Sequence, residues 1–229
     1  MPLPRWALAT AVAAAVVTGL FLFYRDPMTV VPATATVQTV VLPDGSQASL
    51  APGASLSFRR HGFGRRDRSA RMTGRIFFCV ARNESLPFEI TAEEGFVRVL
   101  GTRFQVATGD EATTVDVVDG RVLFAAAGAE DEGLVLTRGM HAALAAGAAA
   151  PLLGPAESPN PAGWATHSYR YDNTPLTDVL SELSAQFGCA LSSPDGNRRL
   201  TGQFEGEELD EIVFLIGEAL GIQIEINTL

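Results

Sequence analysis

The residue types that most often carry out chemistry in proteins are few and scattered in this sequence. The three histidines, His61, His141 and His167, lie far apart, and no two of them have the spacing of metal ligands. The sequence contains no GxSxG or HExxH motif and no phosphate-binding glycine loop followed by a helix. Asp116 and Asp119 flank a turn, where we expect a solvent-facing strand residue and a turn aspartate. We therefore predict no catalytic residue, no metal and no cofactor, and we do not expect an enzyme.

The two cysteines, Cys79 and Cys189, lie in distant parts of the chain. Two isolated thiols form neither a disulfide framework nor a zinc-binding pattern. Because free cysteine commonly packs as a small hydrophobic residue, we expect both to be buried free thiols.

The formal net charge is −9, and it is unevenly distributed. Residues 36–163 contain 12 arginines against 14 acidic residues, whereas residues 164–229 contain 3 arginines against 11 acidic residues. A protein with this charge is not generally attracted to nucleic acid, so no nucleic-acid partner is expected. The contrast indicates two modules with different surfaces.

One segment, FRRHGFGRRDRSAR from Phe58 to Arg71, is strongly basic although the chain as a whole is acidic. Its arginines are Arg59, Arg60, Arg65, Arg66, Arg68 and Arg71. We interpret this segment as the solvated tip of a hairpin. Contact with anionic lipid headgroups or with an acidic partner is the alternative.

The segment from Ala7 to Tyr24 is uncharged and strongly apolar. As a helix it would be about 27 Å long, which is enough to cross the hydrocarbon layer of a membrane. We predict a single transmembrane helix over residues 7–24, with a short cytoplasmic stub over residues 1–6 and a linker over residues 25–36. A cleaved signal peptide is the alternative, and either interpretation places the rest of the chain outside the cytoplasm.

Residues 37–145 alternate between short apolar–polar runs and turn residues, which is typical of an antiparallel all-β, sandwich-like domain. Its central stretches are VRVLGTRFQV, from Val97 to Val106, and TTVDVVDGRVLF, from Thr113 to Phe124. Glycine accepts turn conformations that other residues avoid, so we predict a hairpin in each stretch. The first would turn at Gly101 and Thr102, and the second at Asp119 and Gly120.

A second linker is predicted over residues 146–163, followed by a small α+β module over residues 164–229. Two strand-helix-strand units are expected, because apolar residues recur at helical spacing in two stretches that each end at a glycine. The first helix should begin at Thr174 and Pro175 with a hydroxyl cap. Its apolar face should contain Leu176, Val179, Leu180, Leu183 and Phe187. The mainly β fold class is thus a β domain followed by this module.

These segments, in this order, resemble the FecR family of transmembrane signal-transducing regulators. The resemblance is based on VLGTRF with the following VDGRV block, and on DNTPL with ELSAQFG in the C-terminal module. It implies that Gly101, Thr102, Phe104 and Gly120 are signature residues of the scaffold. The C-terminal module is similar to the short N-terminal fold shared by secretins and TonB-dependent receptors.

The resemblance also implies a bacterial inner-membrane protein whose bulk is periplasmic. Its partners would be the signalling domain of a TonB-dependent outer-membrane receptor and an extracytoplasmic-function sigma factor. The receptor would meet an acidic edge of the C-terminal module. The residues of that edge are Glu207, Glu208, Asp210 and Glu211.

Two departures from the family pattern affect the expected output. The six residues MPLPRW cannot form the cytoplasmic domain that binds the sigma factor, so that domain would be missing or separate. Where the family often has an acidic residue in a GExFF-like motif, this sequence has Gly74-Arg75-Ile76-Phe77-Phe78. A structural envelope module that binds a glycan or a protein, without transcriptional output, is the alternative function.

Overall fold

A computed structural model describes residues 28–32, 34–156, 158–206 and 208–228. The predicted stub, the predicted transmembrane helix over residues 7–24, and Glu207 lie outside these ranges. Within them, no helix is long and apolar enough to cross a membrane.

The larger part of the described chain is a two-sheet sandwich of fourteen strands. A 3₁₀ turn, Glu130–Glu132, precedes the twelfth strand. In chain order the strands are β1 (Met28–Val31), β2 (Gln38–Val41), β3 (Gln47–Leu50), β4 (Ser55–Arg59), β5 (Ser69–Thr73), β6 (Arg75–Cys79), β7 (Phe88–Ala92), β8 (Gly95–Val99), β9 (Arg103–Thr108), β10 (Ala112–Asp119), β11 (Arg121–Ala126), β12 (Leu134–Thr137), β13 (His141–Ala145) and β14 (Leu152–Gly154).

The first sheet has the order β1-β4-β5-β7-β8-β11-β12, and the second has the order β14-β13-β10-β9-β6-β3-β2. Neighbouring strands are antiparallel except for the parallel pair β5 and β7. The alternating sequence pattern produces this arrangement because one face of each strand is apolar and must be covered by the other sheet. The predicted antiparallel, sandwich-like fold is confirmed.

The two predicted hairpins are wrong. Strand β8 pairs with β11 in the first sheet, and β9 pairs with β10 in the second. The chain therefore crosses from one sheet to the other at Gly101 and crosses back at Gly120, where φ is +95°. Both glycines occupy corners between sheets, because a change of sheet needs a sharp turn with close backbone approach.

The sandwich core is formed by large apolar side chains that alternate inward along the strands. Phe78 and Phe104 stack with ring centres 5.4 Å apart, and Phe78 and Phe88 have ring centres 6.0 Å apart. All three are fully buried. Offset and tilted aromatic contacts of this kind stabilise a core beyond the area that they bury.

The arginine-rich segment contains a buried anchor as well as exposed side chains, which corrects the prediction of a wholly solvated tip. The Arg68 guanidinium forms an ion pair with Asp44 at 2.7 Å and donates to the carbonyl oxygens of Ala81 and Leu86 at 2.7 and 3.1 Å. It also lies 5.3 Å from the centre of the Phe88 ring. A buried charge is tolerated only with partners of this kind.

Only one of the two cysteines matches its prediction. Both are free thiols, and Cys189 is buried as expected, but Cys79 is exposed. Cys79 is the last residue of β6 and points away from the core, since its neighbour Phe78 points inward.

The C-terminal module contains two strand-helix-strand units, as predicted. Its elements are α1 (Gly163–Thr166), β15 (Ser168–Pro175), α2 (Leu176–Phe187), β16 (Cys189–Ser192), β17 (Arg199–Glu205), α3 (Leu209–Leu220) and β18 (Glu225–Thr228). Strand β15 pairs with β17 and β16 pairs with β18, both antiparallel. Leu176, Val179 and Leu183 are fully buried on the inner face of α2.

The ends of the module's helices agree only in part with prediction. Gly188 and Gly221 end α2 and α3 in the left-handed conformation, as the sequence predicts. The start of α2 differs, because Thr174 and Pro175 belong to β15 and the helix has no side-chain cap. Pro175 itself is the N-cap, with its fixed φ of −55° leading into the first turn.

Candidate functional site

The outer face of the second sheet is covered where the chain passes from the sandwich into the C-terminal module. Consecutive residues of β6, β9 and β10 are buried on both faces of the sheet at this place, whereas one face of a solvated sheet would be exposed. The outward-facing residues are Phe77, Gln105 and Asp116. They are covered by residues 158–166, which form the junction between the two modules.

Trp164 in α1 is the central residue of the junction. Its indole nitrogen Nε1 donates a hydrogen bond of 2.6 Å to Oε1 of Gln105. The guanidinium of Arg75 lies 4.7 Å from the centre of the indole ring, which is within the range of a cation–π contact. Ala162 and Phe77 pack against the same ring in a small apolar cluster. Trp164 thus fixes α1 on the sheet through packing and through a directed hydrogen bond.

A chain of buried polar groups continues from Trp164 into the sheet. Nε2 of Gln105 donates to Oδ2 of Asp116 at 3.3 Å, and Oδ1 of Asp116 lies 2.7 Å from Nδ1 of His141. An ionised carboxylate can only accept, so a proton on Nδ1 of His141 is donated to Asp116. Asp116 was expected to face solvent, but it is 6% exposed. This expectation was wrong because the junction covers it.

Burial also affects the pKa of the Arg75 guanidinium, which lies over the indole ring of Trp164. Desolvation lowers the pKa of the Arg75 guanidinium from its usual value. The direction follows because removal from water disfavours the charged form. Arg75 remains cationic at neutral pH, since an arginine pKa lies far above that range.

A second group of polar contacts attaches the junction to α2. Ser158 donates from Oγ to the Glu182 carboxylate, and Asn160 donates from Nδ2 to Oε2 of Glu182 at 3.3 Å. Oδ1 of Asn160 accepts a hydrogen bond of 2.7 Å from the backbone N–H of Arg170 in β15. One short segment therefore contacts the sheet, the first strand of the module and its first helix.

Two buried tyrosines of β15 lie in the field of Glu182. Burial and the Glu182 carboxylate raise the pKa of Tyr169 to about 12. The same two causes, in the same order, raise the pKa of Tyr171. Both effects favour the neutral phenol, because ionisation would place a second negative charge in an apolar environment.

The acidic edge predicted as a partner site is at the start of α3. Glu208 is its N-cap residue, and Asp210 and Glu211 lie in its first turn; all three side chains are exposed. Phe214 and Leu215, one turn further along the helix, are 64% and 38% exposed. Residues four positions apart share a helix face, so the acidic residues and these apolar residues form one surface.

The junction was not predicted from the sequence. Gln105 and Asp116 are polar residues at alternate positions of strands, which is also the pattern of a solvated sheet face. Trp164 is the residue that could have indicated the junction. A tryptophan beside a Pro- and Gly-containing linker needs a hydrogen-bond partner when it is buried. Among the described residues, no group of three or more His, Cys, Asp or Glu residues could hold a metal ion.

Comparison with known protein families finds a match to part of the sandwich. The model of the family described as FecR protein matches residues 29–123. Residues 29–123 form a FecR domain. No curated protein matches the chain.

Two crystal structures, each of a candidate anti-sigma factor from Parabacteroides distasonis ATCC 8503, resemble the whole described fold. The first, at 2.50 Å resolution, has a TM-score of 0.55 and 20% identity, and the match covers 89% of this chain and all of that one. The second, at 1.65 Å resolution, has the same TM-score and identity, and the match covers 88% of this chain and 99% of that one. At this identity the likeness shows a shared fold.

The FecR domain brings together three of its four predicted signature residues. Thr102 donates from Oγ1 to the carbonyl oxygen of Arg121 at 2.9 Å. A Cβ atom added to Gly120 would lie 3.0 Å from that Oγ1, and one added to Gly101 would lie 2.6 Å from the Cα atom of Arg82. These residues close the corners between β8 and β9 and between β10 and β11. The fourth, Phe104, lies in the core and is fully buried.

Proposed function

We propose that this protein is a membrane-anchored, periplasm-facing regulator of the FecR type. It relays the state of a TonB-dependent outer-membrane receptor to an extracytoplasmic-function sigma factor. The observation that carries the proposal is the FecR domain over residues 29–123, joined by an ordered junction to a small α+β module. The candidate anti-sigma factors with the same fold support a regulatory role.

The receptor-binding surface that we propose is the start of α3. None of the ion pairs among the described residues includes Glu208, Asp210 or Glu211. These three residues adjoin the exposed Phe214 and Leu215. An apolar patch bordered by charges is the usual composition of a transient protein interface. The charges would accelerate encounter with a basic partner, and the apolar side chains would contribute buried area.

The junction offers a route for the signal between the two modules. A partner that displaces α2 or β15 also displaces Asn160 and Ser158, since both contact Glu182 and Asn160 contacts Arg170. The same segment includes Trp164, which is fixed to Gln105 of the FecR domain. Movement of the module is thereby coupled to the outer face of the second sheet.

Binding to the N-terminal signalling domain of a TonB-dependent receptor from the same genome tests this function. The full chain in detergent should bind that domain. Glu208→Gln/Asp210→Asn/Glu211→Gln should slow association at least about fivefold at low salt, and less at high salt, because steering by exposed charges is screened. The change should appear in the association rate constant measured by surface plasmon resonance.

A matched control is available on the sandwich. Glu130→Gln/Asp131→Asn/Glu132→Gln removes the same three charges from the 3₁₀ turn. It should leave association within about twofold of the unaltered chain. Equal slowing by both variants would show an effect of net charge only. Failure of the full chain to bind any receptor signalling domain would favour an envelope-binding module without transcriptional output.

A further inference from the structure

The first described residues lie beside the arginine-rich segment. Strand β1 is antiparallel to β4, and Met28 is paired with Arg59. The apolar segment ending at Tyr24 precedes Met28 by four residues, which span at most about 14 Å even when fully extended. If that segment is the membrane anchor proposed above, the end of the sandwich that contains Arg59 is held close to the bilayer surface.

The loop after β4 has a defined conformation at that end. Phe63 is 4% exposed, and its ring centre lies 5.3 Å from that of Phe58 and 5.8 Å from that of Phe88. The backbone N–H of Gly64 donates to the carbonyl oxygen of Asp67 at 2.8 Å. Arg68 anchors the far side of the loop through its ion pair with Asp44. The loop therefore presents its remaining side chains from a fixed base.

Four exposed cations project from this base. They are Arg59, Arg60, Arg65 and Arg66. Within the described ranges none of their guanidinium groups forms an ion pair, whereas Arg68 is neutralised by Asp44. Residues 59–71 contain six arginines and one aspartate, a balance of +5 in a chain whose net charge is −9.

The opposite end of the sandwich is acidic. The connections from β7 to β8, from β9 to β10 and from β11 to β12 all lie there, since each of these pairs of strands ends and begins away from the arginine loop. The acidic residues in these connections are Glu93, Glu94, Asp110, Glu111, Glu130, Asp131 and Glu132. The sandwich therefore has a charge dipole along its strand direction, with the positive end beside Met28.

Apolar side chains border the arginines. Met28 and Val30 of β1 are 48% and 60% exposed, and Val41 of β2 is 67% exposed. Val30, Val41 and Arg60 line one cleft between these two edge strands. Arginine beside exposed apolar residues suits a membrane interface, where guanidinium groups meet headgroup phosphates and short apolar side chains enter the headgroup layer.

We propose that the positive end of the sandwich docks on a bilayer surface that contains anionic phospholipids. Arg59, Arg60, Arg65 and Arg66 bind headgroup phosphates, and the charge dipole turns the acidic end away from the membrane. Docking would fix the orientation of the FecR domain relative to the anchor. The inference depends on the membrane anchor of the proposed function, but not on a receptor or a sigma factor.

Arginine footprinting of the full chain in lipid nanodiscs tests this inference. The chain is inserted into discs of phosphatidylcholine alone or with about one third phosphatidylglycerol, treated with phenylglyoxal and analysed by mass spectrometry. Modification of Arg60, Arg65 and Arg66 should be at least about fivefold slower in the anionic discs at low salt, and the difference should shrink at high salt. Arg198 and Arg199, a second adjacent pair, serve as an internal control whose rates should be equal in both discs.

Two charge-reversal variants sharpen the test. Arg65→Glu/Arg66→Glu should abolish the protection of Arg59 and Arg60 in anionic discs, whereas Arg198→Glu/Arg199→Glu should leave it unchanged. Equal modification of the loop in both disc types would overturn the inference while leaving the anchor intact. A chain that does not enter either disc would overturn both the anchor and the docking. Normal insertion with no receptor binding would overturn only the proposed function.

Discussion

The FecR-containing sandwich and the C-terminal module bury their residues in different ways. The sandwich encloses one continuous core between its two sheets, with fully buried rings such as Phe88, Phe104 and Phe124. The module has a smaller core between two helices and two short strand pairs, and its helix α3 leaves Phe214 exposed. A self-contained core suits a support, whereas residual apolar surface beside charge suits recognition. We therefore expect the sandwich to contribute most of the stability of the chain, and the exposed face of α3 to be available to the partner proposed above.

The largest expected effect concerns the core of the module. Leu183→Asp should unfold the module, because Leu183 is fully buried and an unpaired carboxylate there is strongly unfavourable. Hydrogen exchange resolved by segment should show loss of protection over residues 168–228 and retained protection in the sandwich. Leu215→Asp, on the exposed face of α3, is the matched control and should retain protection throughout. Normal protection in the Leu183 variant would show that the inner face of α2 is not core.

A slightly smaller effect is expected for the ion pair in the sandwich. Arg68→Ala leaves the Asp44 carboxylate buried without its cation, which should lower the free energy of unfolding by about 3–5 kcal/mol. Arg66→Ala, two residues earlier and exposed, should change it by less than about 0.5 kcal/mol. Urea denaturation measures both values. Similar midpoints for the two variants would contradict the role of Arg68 as an anchor.

The corner between β8 and β9 should be destabilised by one added carbon atom at Gly101. Gly101→Ala places a Cβ atom 2.6 Å from the Cα atom of Arg82, so backbone must shift at a cost of about 1–3 kcal/mol. At Gly109 the nearest atom to an added Cβ is 3.9 Å away, and Gly109→Ala should be nearly neutral. Thermal melting compares the two variants. A Gly101 variant as stable as the Gly109 variant would remove Gly101 from the scaffold signature.

Alkaline pH should destabilise the C-terminal module more than the sandwich. The pKa of Tyr169 is raised from 10.0 to about 12, so the unfolded chain loses this proton first as pH rises. The module should keep full stability below about pH 10 and lose on the order of 2 kcal/mol as pH approaches about 12. Tyr169→Phe should reduce this loss, and Tyr171 accounts for the remainder because its pKa is raised as well. Equal pH dependence in the unaltered chain and the variant would contradict the assignment.

The smallest effect is expected at the junction. Trp164→Phe keeps an aromatic ring near Arg75 but removes the donor to Gln105, which should weaken docking of α1 by about 1–2 kcal/mol. Faster hydrogen exchange in residues 158–166 would measure this change. A double-mutant cycle with Gln105→Leu isolates the hydrogen bond from the loss of packing. Additive effects in the cycle would show that Trp164 and Gln105 are not coupled.

Local features of the fold could be predicted from the sequence because they depend on neighbouring residues. The apolar spacing of Leu176 to Leu183 identified α2, and Gly188 and Gly221 identified the ends of the two helices. Alternation along the strands identified the mainly β domain. Each of these signals reports which face of an element is buried, and a short stretch of sequence contains that information.

Pairing and burial between distant segments could not be predicted in the same way. The stretch around Gly101 has the composition of a hairpin, but its flanking strands pair in different sheets, and alternation does not specify a partner. Asp116 appeared solvent-facing because the segment that covers it lies more than forty residues further along the chain. Arg68 has the same residue type as its exposed neighbours, and only its contact with Asp44 distinguishes it.

The two corners at Gly101 and Gly120 have a mechanical consequence. Strand β1, where the described chain starts, is an edge of the first sheet, whereas β14, which leads to the C-terminal module, is an edge of the second. A pull on the module against a fixed Met28 therefore enters the sandwich through one sheet and leaves it through the other. The chain crosses between the sheets at Gly101 and at Gly120, so covalent connections as well as the shared core join the two sheets. Tension between Met28 and the module must therefore be transmitted from one sheet to the other, through these connections and the shared core.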